Sequence, residues 1–173
     1  MREYTGLKTG TRHTRRSIEL IRRVNRPHDF VLDIGAGSSP YRRFLKGFVL
    51  GVDIHVTPFV DVRASVETLP FCNEIADGIT CFQVLYYLPK PSAAISELAR
   101  VLKPGGWIAM SVSRSSRLKR EATRCCKWPA DEWNAYFVKN GLMCHTPFME
   151  RCLFRHAGAY LFGLFIKVDQ TAS

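Results

Sequence analysis

The sequence predicts a doubly wound α/β fold with a mostly parallel sheet and a C-terminal antiparallel hairpin. Short apolar runs typical of buried strands alternate along the chain with amphipathic stretches of helical periodicity. The first apolar run leads into a turn with two closely spaced glycines, Gly35 and Gly37. The last two runs follow one another without a helix between them, which predicts that they pair. At 173 residues the chain has the length of one domain.

The N-terminal half of the chain predicts two helices and four strands. The helix would carry Ile18, Ile21 and Val24 on one side, with arginines around them. The first two strands are apolar runs that end in or beside an acid, in the sequences VLDI and FVLGVD. Ser39 and Pro40 are a natural cap and first residue for a short helix after the glycine turn. In this half we predict helices over 12–24 and 40–46, and strands over 30–34, 48–53, 60–63 and 78–82.

The C-terminal half predicts two helices, one strand and the hairpin. A helix over 91–102 has an apolar face and is closed by a Pro-Gly-Gly sequence. A buried strand over 107–112 follows. A second helix over 131–140 ends at an Asn-Gly pair, and the hairpin strands cover 142–153 and 160–168.

The chain is strongly basic, with a net charge of +10. Residues 1–26 hold eight basic and two acidic residues, and residues 114–127 hold six basic and one acidic residue. Such clusters attract phosphate-bearing or otherwise acidic partners, although a solvated helix face explains either segment equally well on its own. We therefore predict a basic N-terminal arm and helix over 1–29 in front of a ligand-binding domain over 30–173.

Composition favours a cytoplasmic protein without a metal or a membrane span. None of the six cysteines lies in a C-x-x-C pair or beside histidines at zinc-finger spacing. The adjacent Cys125 and Cys126 leave a redox or metal pair open as the minor alternative. The N-terminus has no apolar signal segment, and the longest apolar stretch, 157–166, is too short to cross a bilayer. The oligomeric state is left open.

The glycine turn and the acid after the second strand indicate a nucleotide-like cofactor. Glycines let the backbone approach a ligand closely, and a helix N-terminus beyond them favours an anionic group. Asp53 ends the second strand, where a carboxylate can accept two hydrogen bonds from a ribose diol. The third glycine of a dinucleotide fingerprint would fall at Pro40, and its absence disfavours an NAD-dependent dehydrogenase. A plain strand-to-helix turn is the simpler alternative.

Taken in order, the motifs resemble the class I S-adenosylmethionine-dependent methyltransferases of the small single-domain type. The resemblance rests on VLDIGAGSSPY, VLGVDI, ETLPF and ADGITCFQVLYYLPKPSAAISELARVLKPGGW, which together cover about residues 30–112. The helix and hairpin up to residue 168 fit the order of the family. The resemblance implies a Rossmann-like fold and S-adenosylmethionine as the cofactor.

The resemblance also implies which residues meet the methionine and ribose parts of the cofactor. Asp33, Gly35 and Gly37 would line the methionine part, and Ala36 between the glycines belongs to the same set. Asp53 would hold the ribose hydroxyls.

The adenine subsite departs from the pattern of the family. Ile54 would pack on the ring, and Val66 would offer its backbone N–H. Ser65 stands where the family usually has an aspartate for the adenine amino group. Because a hydroxyl can still accept a hydrogen bond, the resemblance implies a weaker or altered adenine contact.

Three residues after the fourth strand are the candidates for catalysis. Gln83 occupies the place at which the family contacts the ammonium end of the cofactor, often through a backbone carbonyl, and the resemblance leaves its side chain as a group that could face the acceptor. Tyr86 and Tyr87 replace the histidines that the family often has in the next segment, so no histidine base is expected there. Tyrosines at such positions pack more often than they catalyse.

The acceptor is not determined by the sequence, and three functions stay open. The first is methyl transfer to a small molecule, which would be anionic if the two basic segments converge at the mouth of the site. The second is an RNA methyltransferase that uses the basic arm and residues 114–127, with Tyr86, Tyr87 and Trp128 as stacking groups. The third is a binding or scaffold protein that keeps the fold without turnover.

Overall fold

The computed structural model describes residues 12–113, 129–144, 154–157 and 160–169. These residues form one eight-stranded mixed sheet with helices on both faces. The helices are α1 (Arg12–Val24), α2 (Ser92–Val101) and α3 (Ala130–Lys139), with 3-10 turns at Arg42–Phe44 and Leu85–Tyr87. The strands are β1 (Phe30–Ile34), β2 (Phe48–Asp53), β3 (Val62–Arg63), β4 (Ala76–Phe82), β5 (Leu102–Ser113), β6 (Leu142–Cys144), β7 (Phe154–Ala157) and β8 (Tyr160–Lys167).

The sheet has the order β3-β2-β1-β4-β5-β8-β6, and β7 also pairs with β8. The first five strands of this order run parallel, and β8 runs antiparallel to β5. The direction of winding reverses between β1 and β4, which pair from Val31↔Gly78 to Ile34↔Cys81. In doubly wound sheets ligands bind at this switch point, outside the carboxyl ends of the strands. The predicted fold class is confirmed.

Several predicted elements differ in extent. The helix expected over 40–46 is a single 3-10 turn, and β3 keeps only the last two residues of the predicted 60–63. Strand β5 begins at Leu102 because the Pro-Gly-Gly segment joins it through an irregular register opposite Ala76–Gly78. Of the long strand expected over 142–153, the described residues show β6, which pairs with β8, and residues 145–153 lie outside the described part. Strand β7 lies beyond the predicted range and also pairs with β8.

The two faces of the sheet are buried by different helices. Alternate strand residues such as Leu32 and Ile34 pack with α2 and α3, where Phe137 stacks on Phe165 at a centroid distance of 4.1 Å. The intervening residues, such as Val31, face α1. This alternation follows from the pleat of the strands. The described part of the predicted basic arm is thus a layer of the fold, since α1 covers one face of the sheet.

A pair of reciprocal hydrogen bonds fixes the end of α1. The Lys46 backbone N–H donates to Oδ1 of Asn25 at 2.6 Å, and Nδ2 of Asn25 donates to the Lys46 carbonyl at 3.1 Å. Nδ2 of Asn25 also donates to Asp29, whose carboxylate accepts the Trp107 indole N–H at 2.9 Å. The helix is therefore anchored to the amino end of β1, and its first turn lies at the opposite, carboxyl end of the sheet.

Candidate functional site

A cavity of about 610 Å³ opens at the carboxyl ends of the central strands. Its lining comes from the ends of β1 and β2, from the segment after β3, and from the residues after β4. The cavity therefore lies at the switch point of the sheet, where the sequence places the cofactor. Six of the nine predicted cofactor-binding residues line it: Gly35, Asp53, Ile54, Ser65, Val66 and Gln83.

The turn after β1 is closed by backbone hydrogen bonds to β2. Gly35 and Gly37 have φ values of 71° and 44°, the left-handed region that glycine adopts without strain. The N–H groups of Gly35 and Ala36 both donate to the Val52 carbonyl, at 2.7 and 3.1 Å. These two amides therefore bind the neighbouring strand. Gly35 is the residue of the turn that lines the cavity directly after β1.

Asp33 does not line the cavity, contrary to the expectation that it meets the methionine part. The pleat of β1 points its side chain to the α1 face, where the carboxylate is fully buried. It accepts hydrogen bonds from the hydroxyls of Ser39 at 2.6 Å, Thr80 at 2.7 Å and Tyr41 at 3.0 Å. Burial raises the pKa of Asp33, and the hydroxyl donors oppose that rise. Asp33 therefore stabilises the residues that follow the glycine turn, on the face of the sheet that α1 covers.

Ala36 and Gly37 also lie outside the cavity lining. Ala36 is buried, and the Gly37 carbonyl accepts the Thr57 hydroxyl at 2.6 Å. The Gly37 N–H donates to Oδ2 of Asp53 at 3.0 Å. Gly37 thus holds the turn against Asp53 and the segment after β2, and Ala36 binds β2 itself through its N–H.

Asp53 has the chemistry that a ribose diol requires. It is 8% exposed and lines the cavity. Its Oδ2 accepts the Gly37 N–H, and its Oδ1 accepts the His55 N–H at 2.9 Å. A carboxylate offers about four acceptor positions, so each oxygen keeps a second position for a ligand hydroxyl. The two backbone hydrogen bonds therefore orient the carboxylate and leave acceptor positions for a ligand.

The part of the cavity predicted to hold adenine combines apolar and polar groups. Ile54 is 54% exposed and Val66 is buried, and both line the cavity. The Ser65 hydroxyl accepts the Glu67 N–H at 3.2 Å and can still donate its own proton. His55 and Glu67 also line the cavity and are not among the residues that the sequence predicts. Their positions next to Ile54 and Val66 were the available signal.

The catalytic candidates separate into two that line the cavity and one that does not. Gln83 has a φ of 64°, and its backbone N–H donates to the Ser111 carbonyl at 2.9 Å. Tyr87 is 40% exposed and lines the cavity, whereas Tyr86 is 3% exposed and packs against Tyr87 at a centroid distance of 4.2 Å. Tyr86 is therefore a packing residue, and Gln83 and Tyr87 stay as candidates.

Several sequence features lie outside the described residues. These are the basic segment 114–127 with Cys125 and Cys126, Trp128, and the first eleven residues of the basic arm. Within the described ranges, no group of three or more His, Cys, Asp or Glu side chains is arranged to hold a metal ion. Within the same ranges, no helix combines the length and the apolar character that crossing a membrane requires.

The family model described as "Methyltransferase domain" matches residues 32–110. Among curated proteins, the ubiquinone biosynthesis O-methyltransferase of Paracidovorax citrulli is 34% identical over 64 residues, which are 35% of this chain and 27% of that protein. The chain spans 27% or less of the length of each of five curated relatives that it matches.

Two solved structures show the same fold. One is a chain of the complex between the Haloferax volcanii Trm112 methyltransferase activator and its methyltransferase, with a TM-score of 0.70, 20% identity and coverage of 91% of both chains. The other is the Burkholderia thailandensis 1,6-didemethyltoxoflavin-N1-methyltransferase with bound 1,6-didemethyltoxoflavin and S-adenosylhomocysteine. Its TM-score is 0.69 at 18% identity, with coverage of 93% of this chain and 80% of that chain.

Proposed function

We propose that this chain is a class I, S-adenosylmethionine-dependent methyltransferase that transfers a methyl group from S-adenosylmethionine to a small-molecule acceptor. The match of residues 32–110 to the methyltransferase-domain model and the fold shared with solved methyltransferases support the proposal. The observation that carries the proposal is the Asp53 carboxylate, which lines the cavity with one acceptor position on each oxygen still open. A ribose diol needs two such acceptors side by side.

The cavity residues fit the remaining parts of the cofactor. Ile54 and Val66 provide apolar contacts for an adenine ring, and Ser65 offers a hydroxyl at the same end. Gly35 gives a methionine chain a wall without a side chain, since a Cβ at this position would meet Val84. In this chain the polar groups of the cavity are few and lie at separate places, as in other small-molecule sites.

Methyl transfer requires mainly that the acceptor and the cofactor are correctly oriented. When bound, S-adenosylmethionine supplies a methyl group that its sulfonium already activates. The residues of the chain then have to align the acceptor with that methyl group and exclude water. Val84, Tyr87 and Leu88 follow the fourth strand and line the cavity, so they provide an apolar and aromatic wall for an acceptor.

Two observations support a small and anionic acceptor. The P. citrulli and B. thailandensis proteins are named for methyl transfer in ubiquinone biosynthesis and to a didemethyltoxoflavin. In this chain the first turns of α1 lie near the carboxyl ends of β4 and β5, and they present the exposed Arg12 and Arg15. The proposal places the protein in the cytoplasm, where free thiols such as the exposed Cys72 stay reduced.

Calorimetric titration with S-adenosylmethionine and S-adenosylhomocysteine tests the shared premise. We expect both compounds to bind the wild type, and Asp53→Ala to weaken binding about tenfold or more because two hydroxyl contacts are lost. Asp131→Ala removes an exposed carboxylate from α3 and serves as the matched control. Failure of the wild type to bind either compound at millimolar concentration would overturn the proposal.

A second candidate, methyl transfer to RNA, is favoured by one surface. The guanidinium groups of Arg22 and Arg43 lie 5.5 and 4.8 Å from the centre of the Phe44 ring, which joins α1 to the 3-10 turn after β1. Cations around an aromatic ring suit phosphate and base contacts. RNA binding measured at two salt concentrations tests this candidate: Arg22→Glu with Arg43→Glu should abolish it, and Lys139→Glu on the opposite face should not.

Transfer of labelled methyl groups into a cell extract distinguishes the remaining functions. The extract is separated into small molecules, RNA and protein after incubation with methyl-labelled S-adenosylmethionine. Label in small molecules supports the proposal, and label in RNA supports the second candidate. Cofactor binding without label in any fraction favours a protein that keeps the fold without turnover.

A further inference from the structure

A chain of three polar side chains connects α1 to the cavity. Nε2 of His13 lies 2.8 Å from the Ser111 hydroxyl, and Nε2 of Gln83 donates to the same hydroxyl at 2.9 Å. The Gln83 backbone N–H also donates to the Ser111 carbonyl. Gln83 is therefore tied twice to the end of β5 through Ser111, 28 positions later in the chain. Ser111 is in turn contacted by His13, 98 positions before it.

His13 occupies a place that an apolar side chain would fill at lower cost. It is 3% exposed and packs against the rings of Tyr160, Phe162 and Phe82. Burial lowers the pKa of His13 to about 4, so the imidazole is neutral near pH 7. Its Nδ1 has no hydrogen-bond partner within the described ranges. What the imidazole adds over a phenyl ring is the hydrogen bond to Ser111.

Gln83 is held in a backbone conformation that residues other than glycine adopt with strain. Its φ of 64° places it in the left-handed region directly after β4. Such conformations persist where surrounding contacts fix them, and here both contacts come from Ser111. The hydrogen bond at Nε2 occupies the donor end of the amide. The carbonyl end, Oε1, accepts no hydrogen bond from the described residues, and Gln83 is one of the residues that line the cavity.

We propose that His13 and Ser111 are positioning residues that hold the Gln83 amide with its carbonyl oxygen toward the cavity, where this oxygen accepts a hydrogen bond from the ammonium group of the cofactor. The inference rests on the proposed function. An amide oxygen is a neutral acceptor, so it suits an N–H donor that carries a positive charge. The neutral state of His13 fits this role, because a charged imidazole behind the amide would oppose a cationic ligand.

Comparison of two ligands isolates this contact. S-adenosylhomocysteine carries the ammonium group, whereas 5′-methylthioadenosine keeps the adenosine and the thioether but lacks the amino-acid portion. We expect Gln83→Ala to weaken the binding of S-adenosylhomocysteine about tenfold, because a hydrogen bond to a charged group is lost. The binding of methylthioadenosine should not change. Ser111→Ala and His13→Phe should also lower the ratio of the affinity for S-adenosylhomocysteine to the affinity for methylthioadenosine, by several-fold.

The variants of His13 separate positioning from packing. Phe keeps an aromatic ring and loses the hydrogen bond, whereas His13→Gln places an amide nitrogen near the position of Nε2 and should restore the wild-type ratio. Because His13 acts through Gln83, adding His13→Phe to Gln83→Ala should lower the ratio no further. Binding of methylthioadenosine to each variant shows that its cavity is folded.

An unchanged ratio in Gln83→Ala, or equal losses for both ligands in His13→Phe with no rescue by His13→Gln, overturns the positioning role and leaves the proposed function standing. A wild type that binds neither compound overturns the proposed function and this inference together. A ratio that falls in all three single variants and returns in His13→Gln supports the inference.

Discussion

Gly35 lies so close to Val84 that a Cβ on the glycine would stand 2.1 Å from Cγ2 of the valine. The two residues follow β1 and β4, the strands between which the winding of the sheet reverses. Contact between them closes the floor of the cavity at the switch point, and both residues line it. The glycine at position 35 is thus required by its φ of 71° and also by its neighbour.

We therefore expect Gly35→Ala to lower both stability and cofactor binding. The backbone angle is unfavourable for alanine, and the added methyl group collides with Val84, so we expect a loss of about 2 kcal/mol or more in the free energy of unfolding. The measurements are denaturant unfolding and calorimetric titration with S-adenosylmethionine.

The double variant Gly35→Ala with Val84→Ala removes the collision and keeps the strained angle. It should recover part of the stability, measured against Val84→Ala alone. No recovery would mean that the angle alone demands glycine, and complete recovery would mean that the angle costs nothing.

The sequence predicted the residues around this contact better than the contact itself. Gly35, Asp53, Ile54 and Ser65 follow strand ends, and parallel strands bring their carboxyl ends together, so short motifs suffice to place them. The direction of the Asp33 side chain depends on the pleat of β1 and on which face of the sheet α1 covers, which no local pattern states.

The positions of His13 and Ser111 show a second limit of sequence reasoning. His13 carries no motif, and on an amphipathic helix it reads as one more polar residue. Its partner Ser111 lies in a buried strand 98 residues later. Only the packing of α1 against β5 and β8 brings them together. The hydrogen bond between His13 and Ser111 therefore depends on tertiary structure, whereas the cofactor motifs can be recognised in short stretches of sequence.

Thr80→Val should destabilise the protein more at pH 8 than at pH 4. The Thr80 hydroxyl donates to Oδ1 of Asp33, and hydroxyl donors favour the charged carboxylate. Their contribution is present above the pKa of Asp33 in the folded protein, which burial raises from 3.8, and it is lost as the pH falls through that pKa. We expect a loss of about 2 kcal/mol at pH 8, measured by urea unfolding.

Thr80→Ser is the matched control, because it keeps the hydroxyl and removes only the methyl group. Its effect on the free energy of unfolding should be the same at both pH values. A loss in Thr80→Val that does not change between pH 4 and pH 8 would show that Asp33 does not ionise across this range.

His13 should make the protein less stable in acid. Burial lowers its pKa from 6.5 to about 4, so between these values the unfolded chain binds a proton that the folded protein does not. The stability that depends on neutral His13 is present above pH 6.5 and falls as the pH drops toward 4. The full loss is about 3 kcal/mol. His13→Gln does not titrate, so the difference in unfolding free energy between wild type and this variant isolates the effect. A difference that is independent of pH would contradict it.

Arg100 should stabilise the segment that follows the lining residues Ser65, Val66 and Glu67. Its guanidinium donates to the carbonyls of Leu69 at 3.0 Å and Phe71 at 2.8 Å, and it pairs with Glu97. Glu97 in turn accepts the Leu69 N–H at 2.8 Å. These bonds fix the segment that follows Ser65 to helix α2. Lysine lacks the planar group that reaches both carbonyls, so Arg100→Lys should lower the free energy of unfolding by about 1–2 kcal/mol and weaken the binding of S-adenosylmethionine.

The pH dependence of Arg100→Lys distinguishes this role from simple packing. The hydrogen bond from Arg100 lowers the pKa of Glu97 below 4.5, so the contribution of the pair is present above 4.5 and is lost as the pH falls through the lowered value. The stability difference between wild type and Arg100→Lys should therefore shrink in acid. Arg23→Lys, on the exposed face of α1, is the matched control and should change neither stability nor binding. A stability difference that persists unchanged in acid would assign the effect to the bonds with the Leu69 and Phe71 carbonyls, which do not titrate, rather than to the ion pair.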